Sequence, residues 1–196
     1  MTDKDRAKVR NMGFHKTEFR AAKEGGDLFI EGYFAVFGGT YELWPGATES
    51  IDPSAFDDAL GDDIRCLIDH ETRLVLGRTK ANTLDLKVDG KGLWGRAKIN
   101  QSDQDAMNLH ARVERGDVDQ CSFGFDILAE ETTFSPDGSS VHWTIKKVKL
   151  YEVSVVTFPA YEETSVAVAS RKRDLEQIKN RDLQAWKARM KERLKN

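Results

Sequence analysis

Apolar and polar positions alternate with a period of two along most of this chain, which predicts strands far more often than helices. Phe14 to Phe19 and Leu28 to Phe37 read as strands, with Ala-Ala-Lys-Glu-Gly-Gly-Asp between them as a hairpin connection. Gly38-Gly39 ends the second strand, and Tyr41 to Ser50, with Pro45-Gly46, has the chemistry of a loop. Pro53 to Gly61 predicts a short helix, with Asp52 as N-cap, Pro53 at the first helical position and Gly61 as the stop. Ile64 to His70 resumes the strand pattern, and Leu84 to Val88 with Gly92 to Ile99 predicts a hairpin around Asp89-Gly90-Lys91. At Ser102 the period changes. Ser102-Asp103-Gln104-Asp105 reads as a capping box with Asp in place of Glu, Ala106, Leu109 and Val113 fall on one helical face, and Gly116 closes the helix. Gln120 to Leu128, the turn Ser135-Pro136-Asp137-Gly138, and Val141 to Val156 follow, the last long enough for two strands or one bent strand. Six or more strands with one or two helices predict an α+β, mainly β fold: a closed or partly closed antiparallel β-barrel with a few helices packed outside.

Charge separates the end of the chain from the rest. Of 30 Lys and Arg, ten lie in residues 170–196 beside four of the 33 acidic residues, so this segment stands at +6 and the remainder at −9. Leu175, Ile178, Leu183, Trp186, Met190 and Leu194 recur there with an approximately helical spacing. A β-barrel domain over residues 1–169 and a basic helical arm over 170–196 are therefore expected. Such an arm suits docking on its own domain, pairing with another copy, or binding a partner protein or polyanion. The body lacks a basic patch with interleaved aromatics, so nucleic-acid binding is not expected. Neither an apolar run of membrane-spanning length nor an apolar secretory segment after Met1 is present, which gives the expectation of a chain made and kept in the cytoplasm, away from membranes. Cys66 and Cys121 form no Cys-x-x-Cys pair and are expected as reduced, buried thiols.

Three short stretches hold candidate chemistry: Cys66-Leu67-Ile68-Asp69-His70, Cys121-Ser122-Phe123-Gly124-Phe125 and Leu150-Tyr151-Glu152-Val153-Ser154. A hydroxyl becomes a nucleophile when an imidazole accepts its proton, and the imidazole needs a third group to fix its tautomer. Alternation places Cys121, Phe123, Phe125 and Ile127 on one strand face, and Gln120, Ser122, Gly124 and Asp126 on the other. Cys121 thus points away from Ser122 and into the core, and Gly124 leaves space beside the hydroxyl for a substrate backbone. By the same rule His70 leans to the face of Cys66 and Ile68. Glu152 shares a face with Val148, Leu150, Ser154 and Val156, where a carboxylate demands an arginine or histidine partner. His142 and Asp126 rival Glu152 as the third member, although His142 reads as an exposed hairpin residue. No Gly-x-Ser-x-Gly elbow is present, against an α/β-hydrolase.

Five ordered stretches together resemble one known family: Glu31-Gly32-Tyr33-Phe34-Ala35-Val36-Phe37; Ile51-Asp52-Pro53-Ser54-Ala55-Phe56; Asp69-His70-Glu71 with Leu76-Gly77-Arg78-Thr79; Ser122-Phe123-Gly124-Phe125; and Leu150 through Tyr161. Across residues 14–168 the chain resembles the prohead (capsid maturation) proteases of tailed double-stranded DNA phages. The resemblance implies a serine endopeptidase with a barrel like that of herpesvirus assemblins, working without metal or nucleotide inside the prohead. Its implied partners are the major capsid protein, whose scaffolding part it cleaves, and the protease itself, as substrate and as a partner in a homo-oligomer. Ser122 is then the nucleophile, His70 the general base and Glu152 the orienting third member. Backbone amides near Ser122, or Arg78, are the candidate oxyanion donors. A non-catalytic capsid-assembly scaffold with the same barrel is the alternative.

Overall fold

The computed structural model describes residues 10–14, 19–158 and 164–193. Among these described residues eleven strands run in chain order: β1 (Arg10–Phe14), β2 (Arg20–Glu24), β3 (Asp27–Val36), β4 (Tyr41–Trp44), β5 (Ala47–Ile51), β6 (Arg65–Ile68), β7 (Glu71–Arg78), β8 (Leu84–Val88), β9 (Gly92–Lys98), β10 (Gln120–Phe134) and β11 (Val141–Val156). Two α-helices accompany them, α1 (Gln104–Arg115) and α2 (Thr164–Arg193), with a short 3-10 turn at Pro53–Phe56. The mainly β character expected from the alternation is present.

The barrel is not. Hydrogen bonding builds two separate open sheets, one of seven strands in the order β1-β10-β11-β5-β4 with β6 joined to β11 and β7 to β6, the other β2-β3-β9-β8. Nor is the pairing wholly antiparallel, because β5 and β6 both lie parallel to β11. The physical reason is the length of β11. One of its edges pairs with β10 throughout, while the other is divided, Val141 to Ile145 taking β5 and Glu152 to Val155 taking β6. An edge shared between two partners branches the sheet instead of returning it to its first strand.

The core lies between the two sheets. Cys66, Phe123, Phe125, Val153 and Val155 from the larger sheet are buried in one cluster with Ile30, Phe34, Leu93 and Ala97 from the smaller. Close approach makes glycine obligatory at Gly92, where an added Cβ would stand 1.9 Å from the Ala35 carbonyl oxygen. Helix α1 adds Ala106, Leu109 and Val113 to the same core. Its cap is Asp103, whose carboxylate accepts from the Asp105 and Ala106 amides, one residue later than the Ser102 capping box predicts. Gly116, at φ 84°, ends it as expected.

Other local expectations shift. Ala21 to Glu24 is strand, not connection, because Ala21 pairs with Ile30 and only Gly25-Gly26, both at positive φ, make the turn. The segment read as a loop over 41–50 is the β4–β5 hairpin folded about Pro45-Gly46. Of the strand expected over Phe14 to Phe19, Phe14 belongs to β1, and residues 15–18 lie outside the described residues. Asp52 caps its short turn as predicted, accepting from Ser54 N at 3.0 Å. The chain divides into two compact units after Tyr161, and α2 lies in the second. That helix begins at Thr164, before the predicted basic stretch, and presents no sustained apolar face; Leu183, Trp186 and Met190 are exposed. None of the described helices is long and apolar enough to cross a membrane.

Candidate active site

The candidate residues meet on the seven-stranded sheet because β11 runs between β10 and β6. Ser122 of β10 stands opposite Ser154 of β11, and Gly124 opposite Glu152. On the other side Ser154 faces Leu67 and Glu152 faces Arg65 of β6. Side chains directly opposite share a face, so Ser122, Ser154 and Glu152 project together, away from the core face of Phe123, Val153 and Val155.

A bulge makes this possible. Phe125 pairs with Leu150 but Gly124 pairs with Glu152, which leaves Tyr151 as an extra residue in β11. Unbroken alternation puts Glu152 on the face of Val148 and Leu150, as the sequence predicts. The extra residue reverses the phase, so Val148 and Leu150 join the core before it and Val153 and Val155 after it. Glu152 and Ser154 thereby pass to the opposite face. Tyr151 itself reaches sideways, its hydroxyl donating to Asp126 Oδ2 at 2.6 Å. That hydrogen bond, with burial, raises the Tyr151 pKa to about 12.

His70 reaches the same face by a second device. Ile68 pairs with Glu71, so Asp69 and His70 are the two-residue tip of the β6–β7 hairpin, with φ of 47° and 60°. Positive φ at both positions is what a tight hairpin turn with the twist of its strands demands, and outside glycine it is strained. The turn is pinned. Asp69 N donates to Val155 O at 3.0 Å, and the Asp69 carboxylate accepts from Thr157 N at 2.7 Å. His70 therefore does not continue the Cys66 and Ile68 face, as alternation alone predicts, because the strand has already turned. Its Nδ1 lies 2.8 Å from Glu152 Oε1. The second carboxylate oxygen, Oε2, accepts from Ser154 Oγ at 2.5 Å.

Burial orders the group. Ser122 and Ser154 are fully buried, while the Glu152 and His70 side chains are 12% and 24% exposed. Ser122 Oγ has no hydrogen-bond partner among the described residues, so no bond to His70 is formed in this state. Hydroxyl–imidazole bonds are often long before substrate binds.

The rivals are engaged elsewhere. His142 is half-buried rather than exposed, with Nδ1 2.8 Å from Thr48 Oγ1 and Nε2 2.8 Å from Ser50 Oγ. Asp126 holds Tyr151. Arg78, the side-chain candidate for an oxyanion donor, places Nε and Nη2 on Asp63 at 2.7 and 2.6 Å and holds the Asp63 pKa down to about 2. Both cysteines are buried thiols outside any disulfide. Cys121 turns from Ser122 as predicted and donates to the Tyr33 carbonyl at 3.1 Å across the core. Burial, helped by the nearby Glu152 charge, pushes the Cys66 thiol far above its ordinary pKa, which disfavours the thiolate a nucleophile needs. Ser154 and Asp69 lie within the stretches singled out in the sequence, which gave neither of them a role, and strand β7 was missed because its entry turn lacks glycine and asparagine.

Residues 15–181 match the family model of the caudovirus prohead serine proteases. The chain is also 30% identical over 183 residues to the prohead protease of Enterobacteria phage HK97, covering 91% of this chain and 75% of that protein. No solved structure matches. The chain belongs to the caudovirus prohead serine protease family, and its role is that of a protease in capsid maturation.

Proposed function

We propose that this protein is a serine endopeptidase that cleaves the scaffolding part of the phage major capsid protein, and itself, inside the prohead assembled in the host cytoplasm. Ser122 is the nucleophile, His70 the general base and then acid, and Glu152 the orienting carboxylate. The observation that carries the assignment is the 2.8 Å contact between His70 Nδ1 and Glu152 Oε1 on the face that also bears Ser122.

With Nδ1–H donated to Glu152, Nε2 is left as the basic nitrogen. Ser122 Oγ attacks the peptide carbonyl carbon while Nε2 takes the hydroxyl proton. The tetrahedral oxyanion collapses, the C–N bond breaks, and the imidazolium returns its proton to the leaving amine. Water, deprotonated by the same nitrogen, then attacks the acyl-enzyme and releases Ser122. The Glu152 carboxylate stabilises the imidazolium formed in each half. The division of labour we assign is proteolysis to residues 1–169 and targeting, self-association or self-removal to the basic segment 170–196. Confinement within a shell raises the effective concentration of protease and substrate only after assembly.

Co-expression of the intact chain, or of Ser122→Ala, with the major capsid protein of the same phage tests this by intact mass. Truncation of the capsid protein that disappears in Ser122→Ala supports the reading. Equal masses with both forms, in assembled proheads, favour the non-catalytic scaffold.

A further inference from the structure

We infer that Ser154 is a positioning residue for the proposed catalytic centre: its hydroxyl proton locks the Glu152 carboxylate so that Oε1 faces His70. The inference rests on the Ser122, His70 and Glu152 reading and extends it by a fourth side chain. Ser154 is fully buried, stands directly opposite Ser122 in the β10–β11 register, and donates to Glu152 Oε2 at 2.5 Å. A carboxylate attached through rotatable bonds has no intrinsic reason to hold one oxygen toward an imidazole. Two donors on different oxygens, Ser154 Oγ–H on Oε2 and His70 Nδ1–H on Oε1, fix both its rotation and its direction.

The same geometry argues against Ser154 as the nucleophile. A serine hydroxyl has a single proton, and that of Ser154 points to the carboxylate rather than to the imidazole. Ser122 Oγ, by contrast, has no such commitment among the described residues. The Tyr151 bulge explains how the arrangement arises, since it moves Glu152 and Ser154 to the Ser122 face in one step.

The test compares Ser154→Thr with Ser154→Val in the full chain, because the two side chains share a shape and differ in the hydroxyl. Purified protein is mixed with the major capsid protein, and the truncation rate is followed by mass. Val is expected to slow cleavage about 10- to 100-fold, the range that a lost hydrogen bond to a charged group brings, and Thr to stay within about threefold of wild type. Ser154→Ala, which removes one oxygen, reads the same quantity if the added methyl groups disturb folding. In parallel, the downfield proton resonance of His70 Nδ1–H, recorded in the inactive Ser122→Ala background, is expected to persist with Thr and to shift or broaden with Val or Ala. A purely structural serine moves neither the Thr-to-Val ratio nor that resonance. Equal cleavage by Thr, Val and Ala with an unchanged resonance overturns the role of Ser154 and leaves the triad standing. Undiminished cleavage by Ser122→Ala alone overturns the triad itself.

Discussion

His70 Nδ1 and Glu152 Oε1 meet at 2.8 Å although 82 residues separate them in the chain. Glu152→Gln keeps the shape of the acceptor but removes the charge that stabilises an imidazolium and offers an amide that favours the wrong tautomer. Capsid-protein truncation by this variant is expected to fall by roughly two to four orders of magnitude, with the thermal midpoint little changed. Mass-resolved time courses beside a melting curve check both halves.

The tip of the β6–β7 hairpin stores strain at the proposed base. At φ 60° His70 occupies the left-handed region, where any side chain beyond glycine is disfavoured. His70→Gly and His70→Ala both abolish the Glu152 contact and are both expected to be inactive. The glycine form should nevertheless be the more stable by about 1 kcal/mol, read from paired urea denaturation curves. An alanine form equal to the glycine form would show that the turn relaxes.

Asp52 ties the 3-10 turn to β11, since its carboxylate caps Ser54 and accepts from Lys146 Nζ at 2.8 Å. Lys146 above all, then Ser54, lowers its pKa from 3.8 to about 2. A carboxylate depressed in the folded state stabilises fully above its unfolded pKa and loses that contribution as pH falls through the folded value. Asp52→Ala should cost about 1 kcal/mol at neutral pH, the usual magnitude for a lost cap. Its stability gap from wild type should close between roughly pH 4 and pH 2, as measured by urea denaturation across that range.

Tyr151 gives the opposite sign at the alkaline end. Its pKa is raised from 10.0 to about 12 by the hydrogen bond to Asp126, so the folded state holds the proton more tightly. The contribution is complete below about pH 10 and fades as pH rises toward 12. The stability difference between wild type and Tyr151→Phe should therefore shrink over that interval, while cleavage at neutral pH stays near wild type. Loss of cleavage in Tyr151→Phe would mean that the hydroxyl, and not only the bulge, serves the site.

A cysteine nucleophile is tested most simply. Cys66 and Cys121 are both buried, and the Cys66 thiol is driven toward its protonated form. Brief treatment of the native protein with iodoacetamide should leave both unmodified and cleavage undiminished, as peptide mapping and the truncation assay report.

Much of this was readable without coordinates. Strand alternation located β8, β9 and the first part of β10, and the residue types around Asp103 and Gly116 bracketed α1, because these signals are local. The separation of Cys121 from Ser122 followed from the two-residue strand period. The three proposed site residues came from residue chemistry joined to the ordered stretches resembling the prohead proteases, not from any one motif.

Tertiary structure decided what local pattern leaves open. Whether β11 keeps its phase or skips a residue depends on which partner it pairs with on each side, and the Tyr151 bulge turns Glu152 and Ser154 out of the core. Whether Asp69-His70 extends a strand or turns it depends on Val155 and Thr157, which lie far along the chain and hold the tip in place. Sheet closure is equally non-local. Strand count permits a barrel, but β5 and β6 divide one edge of β11 and keep the sheet open. Alternation within a segment is set by that segment's own residues; register and branching are set by hydrogen bonds between segments, and those bonds bring His70 to Glu152.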